Sequence, residues 1–345
     1  MSSGPSCGGG ASPMVAATAE PATVAAGGMA TGLLSDARIV VVSATDEEAS
    51  HLIERLRGVD GEVGPRETTL SRRWRLVEGT VGSRRVDVLV SRIGLSHAAM
   101  AVTALMCLSE IKNDMPAAVI SMGCGGAHVE TMRPGDVVVS SACVPLSAKR
   151  VHADGSSTHV GIRLGMRRDG GASYECDTAL VDVARRAILS TALPTWPGQP
   201  RPPSVHVGAV GSSDTFMQHG PTLRKISSMA GTVLEEMEAV SVAAVAAEYG
   251  VLHLAIKDCA NNELVGDSWT GGGLKRDELG RRAALATLAV LRCPEVQLPC
   301  DVMSLGVAAC SGGADARFEA ENRVTASPVG DAEEGRSACV AAAAT

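Results

Sequence analysis

Apolar β-branched runs alternate with helix-period patterns along most of this chain. Arg38 to Ser43 reads as a strand, Asp46 to Arg57 as a short helix that Gly58 ends, and Ser96 to Ile111 as a longer helix. Arg73 to Val81 and Arg85 to Arg92 read as paired strands around a Gly82-Ser83 turn. Ala117 to Met122 is a buried strand running into Gly123-Cys124-Gly125-Gly126, and Gly135 to Val144 is another strand. Thr178 to Ser190 is helical, and the Pro-rich stretch 194–203 must be loop. Then come strand Ser204 to Ser212, helix Gln218 to Met229, strand Thr232 to Met237, helix Val240 to Tyr249, strand Val251 to Ile256 and a closing amphipathic helix from Leu274 to Cys293. Continuous apolar strands interleaved with helices predict a single α/β domain over about 37–294, its mostly parallel sheet covered by helices on both faces. Residues 1–36 and 295–345 are rich in Gly, Ala, Ser and Pro and are expected to be disordered tails.

Composition narrows the function classes. Of 345 residues 45% are hydrophobic but only 2% aromatic, so the core must be aliphatic and the position of each of the two Phe is informative. A net charge of −7 argues against a nucleic-acid backbone as partner. No apolar run is long enough to span a bilayer, and the N-terminus lacks the pattern of a secretory or mitochondrial leader. The ten cysteines show neither CxxC nor a paired framework, and the eight histidines show no metal spacing. Reduced thiols in a cytoplasmic protein without metal or cofactor are therefore expected.

The chemistry-bearing candidates sit where strands end. Asp46-Glu47-Glu48 follows the first strand, a place where open α/β sheets bind ligands. Thr45-x-x-Glu48 equally matches a helix capping box. The glycine run around Cys124 would let backbone N–H groups approach a ligand, or would simply make a tight turn. Phe216 after Ser213-Asp214-Thr215 could stack on a flat base, or lie in the core with Asp214 capping the next helix. Glu238 and Asp258 flank an apolar helix–strand unit, where an acid needs partners or a chemical task. Alternation along the strand predicts that Lys257 and Asp258 point to opposite faces.

Taken together, these stretches resemble the nucleoside phosphorylase/nucleosidase superfamily of the purine and uridine phosphorylase type over about 38–292. The carriers are Ser43-Ala44-Thr45-Asp46-Glu47-Glu48, Ile93-Gly94, Gly123-Cys124-Gly125-Gly126, Pro134 to Val139, Asp154-Gly155-Ser156-Ser157, Ser213 to Phe216, Glu236-Met237-Glu238-Ala239 and Ala255-Ile256-Lys257-Asp258. The resemblance implies a mixed central sheet and a homodimer or larger homo-oligomer acting on a small nucleoside. The acidic first turn, lacking the phosphate-binding arginines of phosphorylases, looks like the methylthioadenosine/S-adenosylhomocysteine nucleosidases. Asp154 to Ser157 and Ser213 to Phe216 look more like uridine phosphorylases, so phosphorolysis is the alternative. By position, Glu48 would activate water and Asp258 would protonate a departing purine. Met237 and Glu238 would bind the ribose, Phe216 and Met217 would flank the base, and Cys124 and Gly125 would lie under the sugar. Leu254 stands where the nucleosidases usually carry a basic residue, and Lys257 where a small hydroxyl residue is common. This departure leaves a catalytically silent nucleoside-binding relative as a third reading.

Overall fold

A computed structural model of the chain describes residues 37–59, 63–159, 173–267 and 276–294; the two expected tails lie outside the described residues. The strands are β1 (Ile39–Ser43), β2 (Arg66–Leu70), β3 (Trp74–Val81), β4 (Arg84–Val90), β5 (Ala118–Ala127), β6 (Val137–Pro145), β7 (Lys149–Val151), β8 (Ser157–His159), β9 (Tyr174–Glu175), β10 (Val205–Ser212), β11 (Thr232–Glu236) and β12 (Leu252–Asn261). The helices are α1 (Asp46–Ile53), α2 (Leu95–Ile111), α3 (Thr178–Leu189), α4 (Gly220–Ala230), α5 (Ala239–Glu248) and α6 (Arg281–Arg292).

The main sheet runs β11-β10-β6-β12-β5-β1-β4-β3-β2, with β9 added beside β6. β1 is parallel to β4 and β5, and β12 is parallel to β5 but antiparallel to β6, so the sheet is mixed. One face packs on α1, α3 and α6 through Leu52, Ala184, Ile188, Ala284 and Leu291. The other packs on α2 and α5 through Val102, Leu105, Val242 and Ala246. The core is largely aliphatic on both sides, with Trp74 the aromatic exception on the α2–α5 face, as the scarcity of aromatics requires.

The sheet is not the mostly parallel one that the alternation predicts, and at one end it closes on itself. The far end of β5 bonds antiparallel to β11, pairing Ala127 with Leu234 and Gly126 with Glu235. That closes β5, β12, β6, β10 and β11 into a ring. The glycine run is accordingly part of a strand, not a turn after one. Gly125 permits the closure, because a Cβ there would collide with the Glu235 carbonyl and the Leu234 side chain. Gly125→Ala is expected to destabilise the fold by about 1–3 kcal/mol through overpacking; urea unfolding measures it.

Three further boundaries differ from the sequence reading. β12 extends past Ile256 to Asn261, so Asp258 lies within the strand and pairs with Cys124 on β5 and Val137 on β6. The closing helix is broken: a 3-10 turn at Arg276–Glu278 precedes α6, with Gly280 at φ 69° between them. Gly280 is forced by that left-handed conformation and by Glu48, whose Cβ would lie 3.0 Å from a Cβ at 280. β2 was not foreseen because its five residues carry no buried face, and β7, β8 and β9 are only two or three residues long.

Candidate active site

A cavity of about 540 Å³ opens where β1, β5, β11 and β12 end, walled by Thr45, Glu48, Cys124, Phe216, Glu238 and Leu279 among others. Of the candidate site residues, Glu48, Cys124, Gly125, Phe216, Met237 and Glu238 line it. Met217 and Asp258 are not among its lining residues.

Glu48 is both a cap and a pocket residue. Its Oε2 accepts from the Thr45 N–H at 3.3 Å, while Thr45 Oγ1 accepts from the Glu48 N–H, completing the capping box. Ser43 Oγ donates to the same Oε2 at 3.4 Å. The other oxygen, Oε1, accepts from the Cys124 N–H at 2.9 Å. The cap thus fixes the rotamer that carries the carboxylate to the cavity wall. Gly123 lets β5 come this close: a Cβ there would lie 2.7 Å from Oε1. The Cys124 thiol is pushed well up by burial and by the Glu48 and Asp258 charges, so it stays protonated and is no nucleophile.

Glu238 accepts from the Gly94 N–H at 2.8 Å. Burial, then repulsion from Glu236, raises its pKa to about 8, against the pull of Lys257 and the Gly94 N–H. It occupies the cap position of α5 without capping it. That work falls to Glu236, which accepts from the Glu238 and Ala239 N–H groups at 3.0 and 2.9 Å. Ser212 Oγ donates to Glu236 and accepts from the Val240 N–H.

Lys257 is the partner of Glu236. Its Nζ lies 2.9 Å from Glu236 Oε2, and both side chains are within 2% of complete burial. Burial alone would favour the neutral amine, but the Glu236, Glu238 and Glu48 carboxylates outweigh it and hold Lys257 above the ordinary lysine range. Leu254 meanwhile packs in the aliphatic core. The buried cation of β12 therefore stands at 257 rather than 254, beneath the carboxylates of the cavity.

Asp258 points to the opposite face, as alternation predicts. It is 0% exposed. Its oxygens accept from the backbone N–H groups of Gly280 at 3.2 Å and Arg282 at 2.9 Å, at the start of α6. Asp258 thus holds the first N–H groups of α6. Burial raises its pKa to about 7 despite the Arg282 N–H, the Arg282 charge and the Ala283 and Gly280 N–H groups. Asp258 lies one strand position across from Cys124 and directly behind the Leu279–Gly280 turn, and both Cys124 and Leu279 line the cavity.

Phe216 is 48% exposed, so the core reading of this residue fails. Asp214 does not cap α4: its Oδ1 accepts from the Leu95 N–H at 2.8 Å and anchors the start of α2. Sequence reasoning missed Asn261, Arg276 and Leu279 in the cavity wall. Asn261 Nδ2 donates to Glu263 at 3.2 Å, while its buried Oδ1 has no hydrogen-bond partner among the described residues. No sequence signal marked these three, since strand extension and helix breakage bring them in.

The sequence profile of the phosphorylase superfamily matches residues 38–292. The chain belongs to the phosphorylase superfamily. Among curated members, the 5′-methylthioadenosine/S-adenosylhomocysteine nucleosidase of Exiguobacterium sp. is 28% identical over 231 residues, covering 66% of this chain and 87% of that protein. The enzyme of the same name from Shewanella sediminis is 26% identical over 235 residues, covering 65% and 86%. The fold matches the solved nucleosidase of Colwellia psychrerythraea in complex with adenine, with TM-score 0.58 and 18% identity over 74% of this chain and 95% of that one. The futalosine hydrolase of Helicobacter pylori superposes equally well, at TM-score 0.58, 18% identity and 74% and 97% coverage. Within this superfamily chain, no described helix is long and apolar enough to cross a membrane.

Proposed function

We propose that this protein is a purine nucleosidase that hydrolyses the N-glycosidic bond of a 5′-methylthioadenosine- or S-adenosylhomocysteine-type nucleoside. The names of its curated relatives support the substrate class. The observation that carries hydrolysis is the charge of the cavity. Glu47, Glu48, Glu235, Glu236 and Glu238 line it, and Arg276 is the only cation among the described lining residues. Glu236 is offset by Lys257 and Glu238 is mostly protonated near neutral pH, so it is chiefly Glu47 and Glu48 that disfavour phosphate and stabilise the oxocarbenium-like positive charge that develops on the sugar.

In this reading Glu48 takes the proton of the attacking water, since every polar contact it makes in the wall presents a donor to its carboxylate. Glu238 and the Met237 backbone hold the ribose hydroxyls, with Glu238 steadied by Gly94. Phe216 covers the base, and Cys124 and Gly125 lie under the sugar. Asp258 protonates the departing purine once the Leu279–Gly280 turn shifts and releases its oxygens to the cavity. A carboxyl with a pKa of about 7 is half protonated at neutral pH, which suits a general acid. Lys257 supplies from 257 the cation absent at 254, which weighs against a silent relative.

The test is a product assay on purine nucleosides with and without phosphate. Free base and reducing sugar are expected without phosphate; product only as a sugar 1-phosphate would establish phosphorolysis, with Arg276 as the anion's ligand. Glu48→Gln, which keeps the cap acceptor but not the base, is expected to lower kcat roughly a hundredfold; steady-state kinetics measures it. We also infer a homo-oligomer in a reducing cytoplasm. Its support is the exposed apolar surface at the cavity mouth, Ile93 at 55% and Phe216 at 48%.

A further inference from the structure

A second constellation lies in the interior, away from the cavity. Cys143 on β6, Cys176 between β9 and α3, and His253 on β12 are all buried, and one donor atom from each lies within 4.8 Å of the other two. None of the three lines the cavity. We propose that Cys143, Cys176 and His253 ligate a thiophilic divalent metal ion of the zinc type, as a structural staple. Two sulfurs and an imidazole are the soft donor set such ions select.

The spacing fits a metal better than it fits a disulfide. Metal–sulfur and metal–nitrogen bonds of about 2.3 and 2.0 Å put tetrahedral ligand atoms roughly 3.5–3.8 Å apart. The three side chains need close by only about an ångström to reach that geometry. The cysteines, by contrast, are diagonal across the β6–β9 ladder. Cys143 faces Tyr174, while the Cys176 N–H donates to the Ser141 carbonyl two positions away. Diagonal Cα atoms stand about 7–8 Å apart, beyond the reach of an unstrained disulfide at about 4.4–6.8 Å.

The surroundings are already arranged around the sulfurs. Ser140 Oγ accepts from the Ala255 N–H at 2.7 Å, so its own proton is free to go to Cys176 Sγ, 3.1 Å away. His253 Nε2 lies 3.3 Å from the Tyr174 carbonyl, tying the imidazole to the segment that carries Cys176. Outer contacts of this kind orient metal ligands. Ser140 Oγ and the Tyr174 carbonyl are also the oxygens at hand for a fourth position. On binding, two metal–sulfur bonds and one metal–nitrogen bond form, and the thiol protons leave to solvent. The staple joins β6, β12 and the start of α3, which Asp177 caps immediately after Cys176.

The test uses the full chain, purified reduced and without chelator. Elemental analysis is expected to find about one equivalent of zinc per chain, and cobalt loading to produce a thiolate-to-metal absorption band. Cys176→Ser and His253→Gln should each lower occupancy at least tenfold, while Cys107→Ser, at an exposed thiol, should not. X-ray absorption of the wild-type metal site, which needs no variant to fold, should show two sulfur ligands. Negligible metal after zinc reconstitution overturns the proposal. So does occupancy undiminished in both ligand variants, a first shell without sulfur, or a Cys143–Cys176 cross-linked peptide two hydrogens lighter from the protein as isolated.

Discussion

Replacing Asp258 with Asn is expected to lower kcat by roughly 10³–10⁴ on an adenine nucleoside, at the upper end of what a positioned general acid contributes. Asn keeps one acceptor oxygen, which can hold the Arg282 N–H, but its amide NH2 cannot accept from the Gly280 N–H, so the start of α6 is less well capped while the transferable proton is lost. The pH profile separates chemistry from structure. With its pKa near 7, Asp258 is the neutral donor below that pH, so wild-type activity should fall as pH rises through about 7. The Asn variant should lack this limb. Stability should respond too. The carboxyl ionises at 3.8 ordinarily but near 7 in the native state, so between these values the fold binds a proton that the unfolded chain releases. This group's contribution is therefore full below about pH 4 and declines as pH rises to about 7. Melting curves across that window should slope less in Asp258→Asn. An unchanged kcat would remove Asp258 from the mechanism.

Lys257→Met is expected to destabilise the protein by about 3–5 kcal/mol, the usual effect of stranding one partner of a buried ion pair. Glu236 would remain with its carboxylate in the interior, facing Glu238 from the same strand end and without its ion-pair partner. Adding Glu236→Gln should recover much of the loss, because Gln keeps an acceptor for the Glu238 and Ala239 N–H groups without the charge. A denaturant double-mutant cycle reads the coupling. Additive effects of the two substitutions would mean that Lys257 and Glu236 do not stabilise one another. Activity is a separate readout: with Lys257 gone, Glu238 loses its attractive partner, and with the proposed role of Glu238 at the ribose, KM should rise in any variant that folds.

Much of the cavity wall was legible in the sequence because it depends on local pattern. The capping box at Thr45 and Glu48 placed that carboxylate at the end of β1, and capping and pocket roles prove to be one arrangement with an oxygen for each. Phe216, Met237 and Glu238 stand in the wall as expected. Less was legible where long-range contacts decide. The sequence pattern ends the strand at Ile256, where the apolar run stops, yet pairing with β5 and β6 carries it onward through Asp258. Asn261 enters the cavity by that extension, and Leu279 by the break at Gly280.

The chain's own pattern determined the α/β class, the helix-covered sheet and the largely aliphatic core. These depend on periodicity and on which residues stand at strand ends, both properties of short segments. Tertiary structure alone decided that the sheet closes through Gly125 and that Lys257 belongs to Glu236. It alone decided that Asp258 rests on the start of α6, and that Cys143, Cys176 and His253 meet. Each of these is a contact between segments far apart in the chain, and its energy comes from burial and charge compensation that exist only once those segments have packed.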